Sequence, residues 1–389
     1  MATTTQDIEV PRRTVLKWAG AAGMLAVGTP LLTSCVTGSF APGSDPNGLI
    51  LPPGFTSRVI ARGNELVAGH QFRWFPDGAA TFVDPAVAGG WYLAVNHEVP
   101  ADGGVTSIRF APDGTLLSAQ PILTGTSVNC AGGATPWGTW LSGEEYDLGL
   151  IWECDPTGAT GAAPRPAMGR FKHEAAAVAA DGYVYLTEDV PTGAFYRFGP
   201  TVAGNLSAGV LEAATGVSPV GTVTWLPVPD PYAGTTPCRE QVAGTLKFDG
   251  GEGIATTGDR VWFTTKGDNR VWQYVPSTGQ MSIRFQGGGS SILSGVDNLW
   301  VDVASQQLFV AEDGGDMQLV MIRPDNTAVA IITITGAEGS EVTGPTFSPD
   351  GQRLYFNSQR GPNSLKLALG VVYEVTGPFD QLLGRPTPP

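Results

Sequence analysis

Cys130 and Glu145 bracket the stretch Ser-Val-Asn-Cys-Ala-Gly-Gly-Ala-Thr-Pro-Trp-Gly-Thr-Trp-Leu-Ser-Gly-Glu-Glu, residues 127–145. A thiol opens it, small residues and a Thr-Pro-Trp-Gly turn fill it, and two adjacent carboxylates close it. Folded as a β-hairpin, the stretch returns to its starting side and sets Cys130 near Glu145 on one rim. A thiolate beside carboxylates, with glycines admitting close approach, is a donor set for a metal ion. The competing reading of Cys130 is a buried structural cysteine, the commonest fate of a free thiol. Its place at a hairpin start, between Asn129 and Gly132-Gly133, favours the ligand.

The pattern recurs. Glu174 precedes Asp189 by 15 residues, Glu252 precedes Asp268 by 16, and Asp297 precedes Asp313 by 16. Between partners lie two strand-like runs and a turn, at Asp181-Gly182 and Gly258-Asp259, with a related turn at Asp350-Gly351. Two runs of about six residues joined by a tight turn form an antiparallel pair whose outer ends meet. Acidic or polar clusters close such runs at Glu98, Glu145, Asp189, Asp268, Asp313 and Gln359, with gaps of 47, 44, 79, 45 and 46. Four of these gaps match the period of about 40 to 50 residues of propeller blades. The long gap holds an insertion, residues 199–240.

The expected fold is therefore all-β: a six-bladed β-propeller with an insertion between blades three and four. The N-terminal part of the mature chain lends a strand to close the ring. All blades point the same way, so the start of strand one and the end of strand two reach one mouth of the central channel. Cys130, Glu145, Glu174, Asp189, Glu252, Asp268, Asp297 and Asp313 would converge there. So many carboxylates cannot stay ionised together without cations. The phase agreement favours metal ligation by Glu145, Glu174 and Glu252. It leaves Glu188, Asp189, Glu312 and Asp313 as secondary candidates and reads Asp268 and Asp297 as turn residues.

Composition agrees with a turn-rich β protein: 53 glycines and 31 prolines in 389 residues, with only 15% charged. The net charge of -14 excludes nucleic acid and anionic membrane surfaces as partners and suits cations. His97 and His173 each precede a rim glutamate, and strand neighbours point opposite ways, so both pack between blades. With His70 they are the only histidines, too few for a His-rich zinc site. No Gly-x-Ser-x-Gly elbow supports a nucleophilic triad. The run Gly287-Gly288-Gly289-Ser290-Ser291 reads as a plain loop, with no helix after it to hold phosphate. Cys154 and Cys238 either pair as a disulfide or stay as two thiols.

The first 35 residues read as an export signal. Arg12-Arg13 in Pro-Arg-Arg-Thr-Val-Leu-Lys resembles a twin-arginine motif, and residues 18–32 form a short apolar run. Leu32-Thr33-Ser34-Cys35 resembles a lipobox, so cleavage before Cys35 would leave a lipid anchor as the sole membrane contact. The alternative is an ordinary cleaved signal. Twin-arginine export carries folded proteins, which suits a cofactor loaded beforehand, and places the protein in the periplasm or on the cell surface. Residues 36–50 read as a linker, 51–379 as the propeller and 380–389 as a flexible tail. A monomer is expected.

At these motifs the chain resembles the PhoX-type alkaline phosphatase family. The resemblance rests on Asn96-His97-Glu98, Asn129-Cys130-Ala131-Gly132-Gly133, Thr135-Pro136-Trp137-Gly138-Thr139-Trp140 and Glu144-Glu145. It continues through Gly169-Arg170-Phe171-Lys172-His173-Glu174, Glu252-Gly253-Ile254, Lys266-Gly267-Asp268, Ala311-Glu312-Asp313 and residues 344–351. The Cys-to-Glu-Glu stretch is the most specific. The resemblance implies a six-bladed propeller whose mouth holds iron and calcium, and hydrolysis of phosphate esters outside the cytoplasm. By motif, Cys130 would be the iron-bound thiolate, with Glu145, Glu174 and Glu252 as further ligands and Glu312 or Asp313 as another. Such metals would neutralise the phosphoryl oxygens and activate an oxygen nucleophile. One departure stands out: the family usually carries an arginine two residues before the Glu-Gly-Ile glutamate, and here that residue is Gly250. Lys247, Arg239, Lys266 and Arg270 are the nearby cations, and Lys266 and Arg270 are the candidates for phosphate binding. Two further readings compete: a calcium-dependent lactonase-type propeller, which needs no thiolate, and a non-catalytic surface binding protein stapled by metals.

Overall fold

The computed structural model describes residues 43–289, 291–362 and 369–385. The twin-arginine motif and Cys35 lie outside the described residues. Among these residues no helix is long and apolar enough to cross a membrane.

The runs of Val, Ile, Tyr, Phe and Trp fold into six antiparallel sheets of four or five strands. Each sheet is one blade, and within a blade sequence neighbours pair. The inner strands are Pro76–Val83, Asn129–Ala134, His173–Val178, Gly251–Thr257, Val296–Val301 and Val342–Phe347. Each packs on the inner strand of the next blade, and the last packs on the first, so the ring closes. Two glycines show how tightly. A Cβ on Gly133 would lie 1.7 Å from Ala176 O, and one on Gly253 would lie 2.3 Å from Leu299 N. Only residues without a side chain fit where backbones approach this closely.

The second strands, such as Trp91–His97, Trp140–Glu144 and Leu308–Glu312, are buried along their whole length. Both faces are covered by neighbouring blades, which is why they read as near-continuous apolar runs. The core is correspondingly divided into six wedges, one between each pair of adjacent blades. Between blades three and four, Phe195 stacks on Phe263 with ring centroids 4.3 Å apart. Cys154 belongs to the wedge between blades one and two and Cys238 to that between two and three. Both are free thiols, so the disulfide alternative falls away.

The N-terminal segment closes the ring. Thr56–Arg62 pairs with Val371–Thr376 as the outer strand of blade six. The expected linker is not free at its end: Leu49–Ile50 pairs with Thr333–Ile334 at the outer edge of blade five. The stretch 199–240 begins inside blade three, since Phe195–Val202 and Asn205–Thr215 are that blade's third and fourth strands. The true extra material follows. Thr224–Pro227 adds a fifth strand to blade three, and Gly221–Thr222 reaches across to the edge of blade four. The expected flexible tail is instead packed as far as Arg385. Phe379–Leu383 forms a short helix with Phe379 and Leu383 buried, and Arg385 Nη2 lies 2.5 Å from Asp302 Oδ1.

Candidate metal centre

Every blade presents the same two positions to one mouth of the channel. The first is the second residue of the inner strand: Asp77, Cys130, Glu174, Glu252, Asp297 and, in blade six, Thr343. The second is the residue just after the second strand: Glu98, Glu145, Asp189, Lys266, Asp313 and Gln359. Where each inner strand starts, the register with its partner shifts. The shifts fall between Pro76 and Ala79, His173 and Ala176, Gly251 and Ile254, Val296 and Leu299, and Thr343 and Thr346. In blade two the extra residue is likewise on the inner strand, between Asn129 and Gly132, opposite Ser142 and Glu144. A bulge leaves an extra residue out of the ladder and re-aims its side chain. Repeated around the ring, it turns side chains that would flank the sheets toward the axis.

The outcome is a chain of donors crossing the mouth. Four triads each bring three ligand atoms within 4.8 Å of one another: Asp77–Glu98–Cys130, Cys130–Glu145–Glu174, Glu174–Glu252–Asp297 and Asp297–Asp313–Glu341. Cys130, Glu174 and Asp297 each belong to two triads and so link the set. Few protein groups answer this charge. Lys172 Nζ lies 2.6 Å from Glu145 Oε1 and 2.7 Å from Asp189 Oδ2. Lys266 Nζ lies 3.2 Å from Glu252 Oε1, 3.1 Å from Asp297 Oδ2 and 3.2 Å from Asp313 Oδ2. Arg360 Nη2 lies 3.0 Å from Glu341 Oε1. Gln359 Nε2 donates to Asp77 Oδ2 at 2.6 Å and to Glu98 Oε2 at 2.5 Å.

Glu174 has nothing of the kind. It is fully buried, and neither carboxylate oxygen has a hydrogen-bond partner among the described residues. Burial, then the charges of Glu252 and Glu145, pushes its pKa well above the usual carboxylate range. Asp77 is pushed up to about 7 by burial and by Asp297, and its Oδ1 is also unpartnered. Burial, followed by Asp77 and Glu174, raises the Cys130 thiol. A buried carboxylate with no donor is costly, and proteins retain one where a cation completes it. Sulfur and oxygen donors, shared between adjacent triads, fit a polynuclear metal site.

Of the residues anticipated from sequence, Cys130, Glu145, Glu174, Glu252, Asp313 and Lys266 meet in this chain. Two do not. Glu312 is buried but faces the other way, accepting from Ser294 N at 2.8 Å and Gln318 N at 3.0 Å. Its preceding position in the strand puts it on the side that holds the adjoining turns, so Asp313 is the member of that pair at the mouth. Arg270 is directed to Asp268 Oδ2 at 2.8 Å and to Gln286, and its guanidinium lies over Trp272. Asp268 is likewise outside the chain, held by Thr265 and Arg270. Lys266 takes the phase position that the repeat assigned to Asp268 in blade four, because the strand ends at Thr265. Asp297, read as a turn residue, is a linking member instead. Asp77, Glu98, Glu341, Lys172 and Arg360 were not anticipated at the site. Glu98 was visible as the end of the first repeat. Asp77 hides in Pro76-Asp77-Gly78, a tripeptide that makes a real turn at Pro349-Asp350-Gly351. Glu341 lies one residue ahead of its strand.

Both site histidines are structural. His97 and His173 are fully buried, with His97 Nε2 2.8 Å from Thr106 Oγ1 and His173 Nε2 3.0 Å from Gly169 O, and burial lowers both pKa values to about 3. Gly250 has φ +71°, and a Cβ there would lie 2.9 Å from Asp189 Oδ1, so an arginine at this position would be strained. Beneath the donors the channel widens into a cavity of about 800 Å³, lined by small residues of the inner strands such as Ala131, Ala175 and Gly253 and reaching Asp350 and Arg385.

Comparison with known proteins agrees with this architecture. The structure superposes on Pseudomonas fluorescens PhoX in complex with vanadate, a transition state analogue, with a TM-score of 0.69, 16% identity, and coverage of 85% of this chain and 96% of that one. A Bacteroides thetaiotaomicron structural genomics protein of unknown function matches with a TM-score of 0.51, 8% identity, and coverage of 83% and 76%. No curated protein matches the chain. At these identities the structural likenesses establish the fold, a six-bladed propeller. The family model described as alkaline phosphatase PhoX matches residues 103–148 and 146–361, most of the described chain, and the chain therefore belongs to the PhoX alkaline phosphatase family.

Proposed function

We propose that the protein is a metal-dependent phosphoesterase whose cluster is iron with calcium, held by Cys130 and the surrounding carboxylates. The observation that carries this reading is Glu174, a fully buried carboxylate without a donor on either oxygen, set within one triad of Cys130 and Glu145. Family membership supplies the reaction class, and the acidic mouth supplies the reason a phosphate anion needs metals to approach. When bound, the metals supply Lewis acidity toward the phosphoryl oxygens and toward the attacking oxygen. Asp77, Glu98, Cys130, Glu145 and Glu174 would hold them. Gln359 fixes the Asp77 and Glu98 carboxylates, and Lys172 fixes Glu145 against Asp189. Arg360 is the guanidinium suited to grip phosphate in place of the side chain that Gly250 lacks. Its side chain is 43% exposed, its Nη2 pairs with Glu341 Oε1, and it lies within electrostatic reach of Asp313, Glu98 and Asp77. Export by the twin-arginine route, after loading, belongs to the same reading.

The test is elemental analysis of the folded protein beside hydrolysis of an aryl phosphate. Iron and calcium should be present, and turnover should stop on chelation. A visible thiolate-to-iron band should vanish in Cys130→Ala. A protein that binds no metal, or holds metal and hydrolyses no phosphate ester, overturns the proposal.

A further inference from the structure

The donor chain is not uniform from end to end. On the Cys130 side, Glu174 has no partner among the described residues, Asp77 and Glu98 accept from the neutral amide of Gln359, and Lys172 is drawn outward between Glu145 and Asp189. On the other side, one ammonium sits among three carboxylates from two blades: Lys266 Nζ, at 3.1–3.2 Å from Glu252, Asp297 and Asp313. These three carboxylates supply two members of each of the last two triads. The ammonium is aimed by the backbone. Lys266 N donates to Gly250 O at 2.8 Å, and Gly267 N donates to Asp249 O at 2.9 Å, pinning the residue to the edge of its blade.

We infer that Lys266 is a built-in counter-cation that takes the place of a metal ion among Glu252, Asp297 and Asp313. This rests on the metal-dependent reading above and narrows it: metals load at the two triads that share Cys130, and the far side of the mouth is neutralised by protein. An ammonium and a divalent cation cannot share three carboxylates at this distance without strong repulsion. The ammonium also binds at about 3 Å, whereas calcium needs oxygens at about 2.3–2.6 Å and six to eight of them. Lys266 therefore sets how many ions the cluster accepts, and makes the far side insensitive to calcium supply.

The experiment compares metal content of the wild type and of Lys266→Met, a side chain of similar length without charge, by elemental analysis and native mass spectrometry after loading with iron and calcium. Lys266→Met should hold at least one more divalent cation per chain than the wild type, and Lys266→Arg should keep the wild-type number. Equal metal content in wild type and Lys266→Met overturns the inference. Anomalous diffraction from calcium-loaded wild-type crystals tests it without any variant. Ions should appear beside Cys130 and none among Glu252, Asp297 and Asp313, and an ion there with Lys266 displaced overturns it. A wild type that binds no metal beside Cys130 instead fails the phosphoesterase reading itself, so the two failures are distinct.

Discussion

Glu174 concentrates the chemistry of this mouth in one side chain. Buried, without a donor and surrounded by like charge, it destabilises the metal-free fold and becomes favourable only beside a cation. Glu174→Gln should therefore make the metal-stripped protein more stable, by about 1–3 kcal/mol, while shrinking the rise in Tm that metal produces in the wild type. Calorimetry with and without chelator reads both. The same groups predict a pH dependence. Asp77 is raised to about 7, and Glu98, Glu174, Glu252 and Glu341 are raised well above their ordinary values, mainly by burial. A carboxyl with a higher pKa folded than unfolded supports the fold while protonated, and that support is lost as pH rises through the folded value. Metal-free protein should thus melt lower at pH 8 than at about pH 5. Metal-loaded protein should show the reverse, because the ligands must be ionised to bind. Melting curves across pH with the same order in both states would contradict this.

At the scale of the element, the end of a second strand assigns two adjacent residues two different tasks. In blade two, Glu144 accepts from Ser127 N at 3.1 Å and Leu150 N at 3.2 Å, while Glu145 joins Cys130 and Glu174. Blade five repeats this with Glu312 and Asp313. Glu144→Gln should cost about 0.5–1.5 kcal/mol in a urea melt and leave metal content unchanged. Glu145→Gln should lower metal content on elemental analysis with little change in the metal-free melt. The bulges that aim these residues depend on close strand contact. Gly253→Val, whose Cβ would meet Leu299 N at 2.3 Å, should destabilise by more than about 3 kcal/mol or prevent soluble expression.

For the whole molecule, ring closure is the decisive step. Blade six is completed by Thr56–Arg62 and the edge of blade five by Leu49–Ile50, both drawn from the N-terminal side of the described chain. Removing residues 43–62 should expose two sheet edges and the wedge that joins blades six and one. Such a truncation should abolish the cooperative thermal transition and the mouth with it, because all six blades contribute to the mouth. Circular dichroism melts of the truncated and full chains check this. The tail acts more modestly: Arg385→Ala removes the contact to buried Asp302 and should cost about 1–3 kcal/mol.

Much of this was written locally. The spacing of Cys130 to Glu145 and of Glu174 to Asp189 is the length of one hairpin, so it determined the blade, the repeat and the side of the ring on which those residues lie. Adjacent charges were harder to separate. Glu312 and Asp313 are equal as sequence, and only the register of a fully buried strand decided that one holds backbone amides and the other faces the axis. Asp77 was not legible, because the bulge that aims it leaves no mark of its own in composition. The pairing of Lys266 with carboxylates from two blades was beyond any local pattern, since Asp297 and Asp313 reach it from the neighbouring blade. The sequence by itself determined which donors each hairpin carries. Closure of the ring decided which of them meet, because distance across a channel is a property of the closed circle and of no single blade.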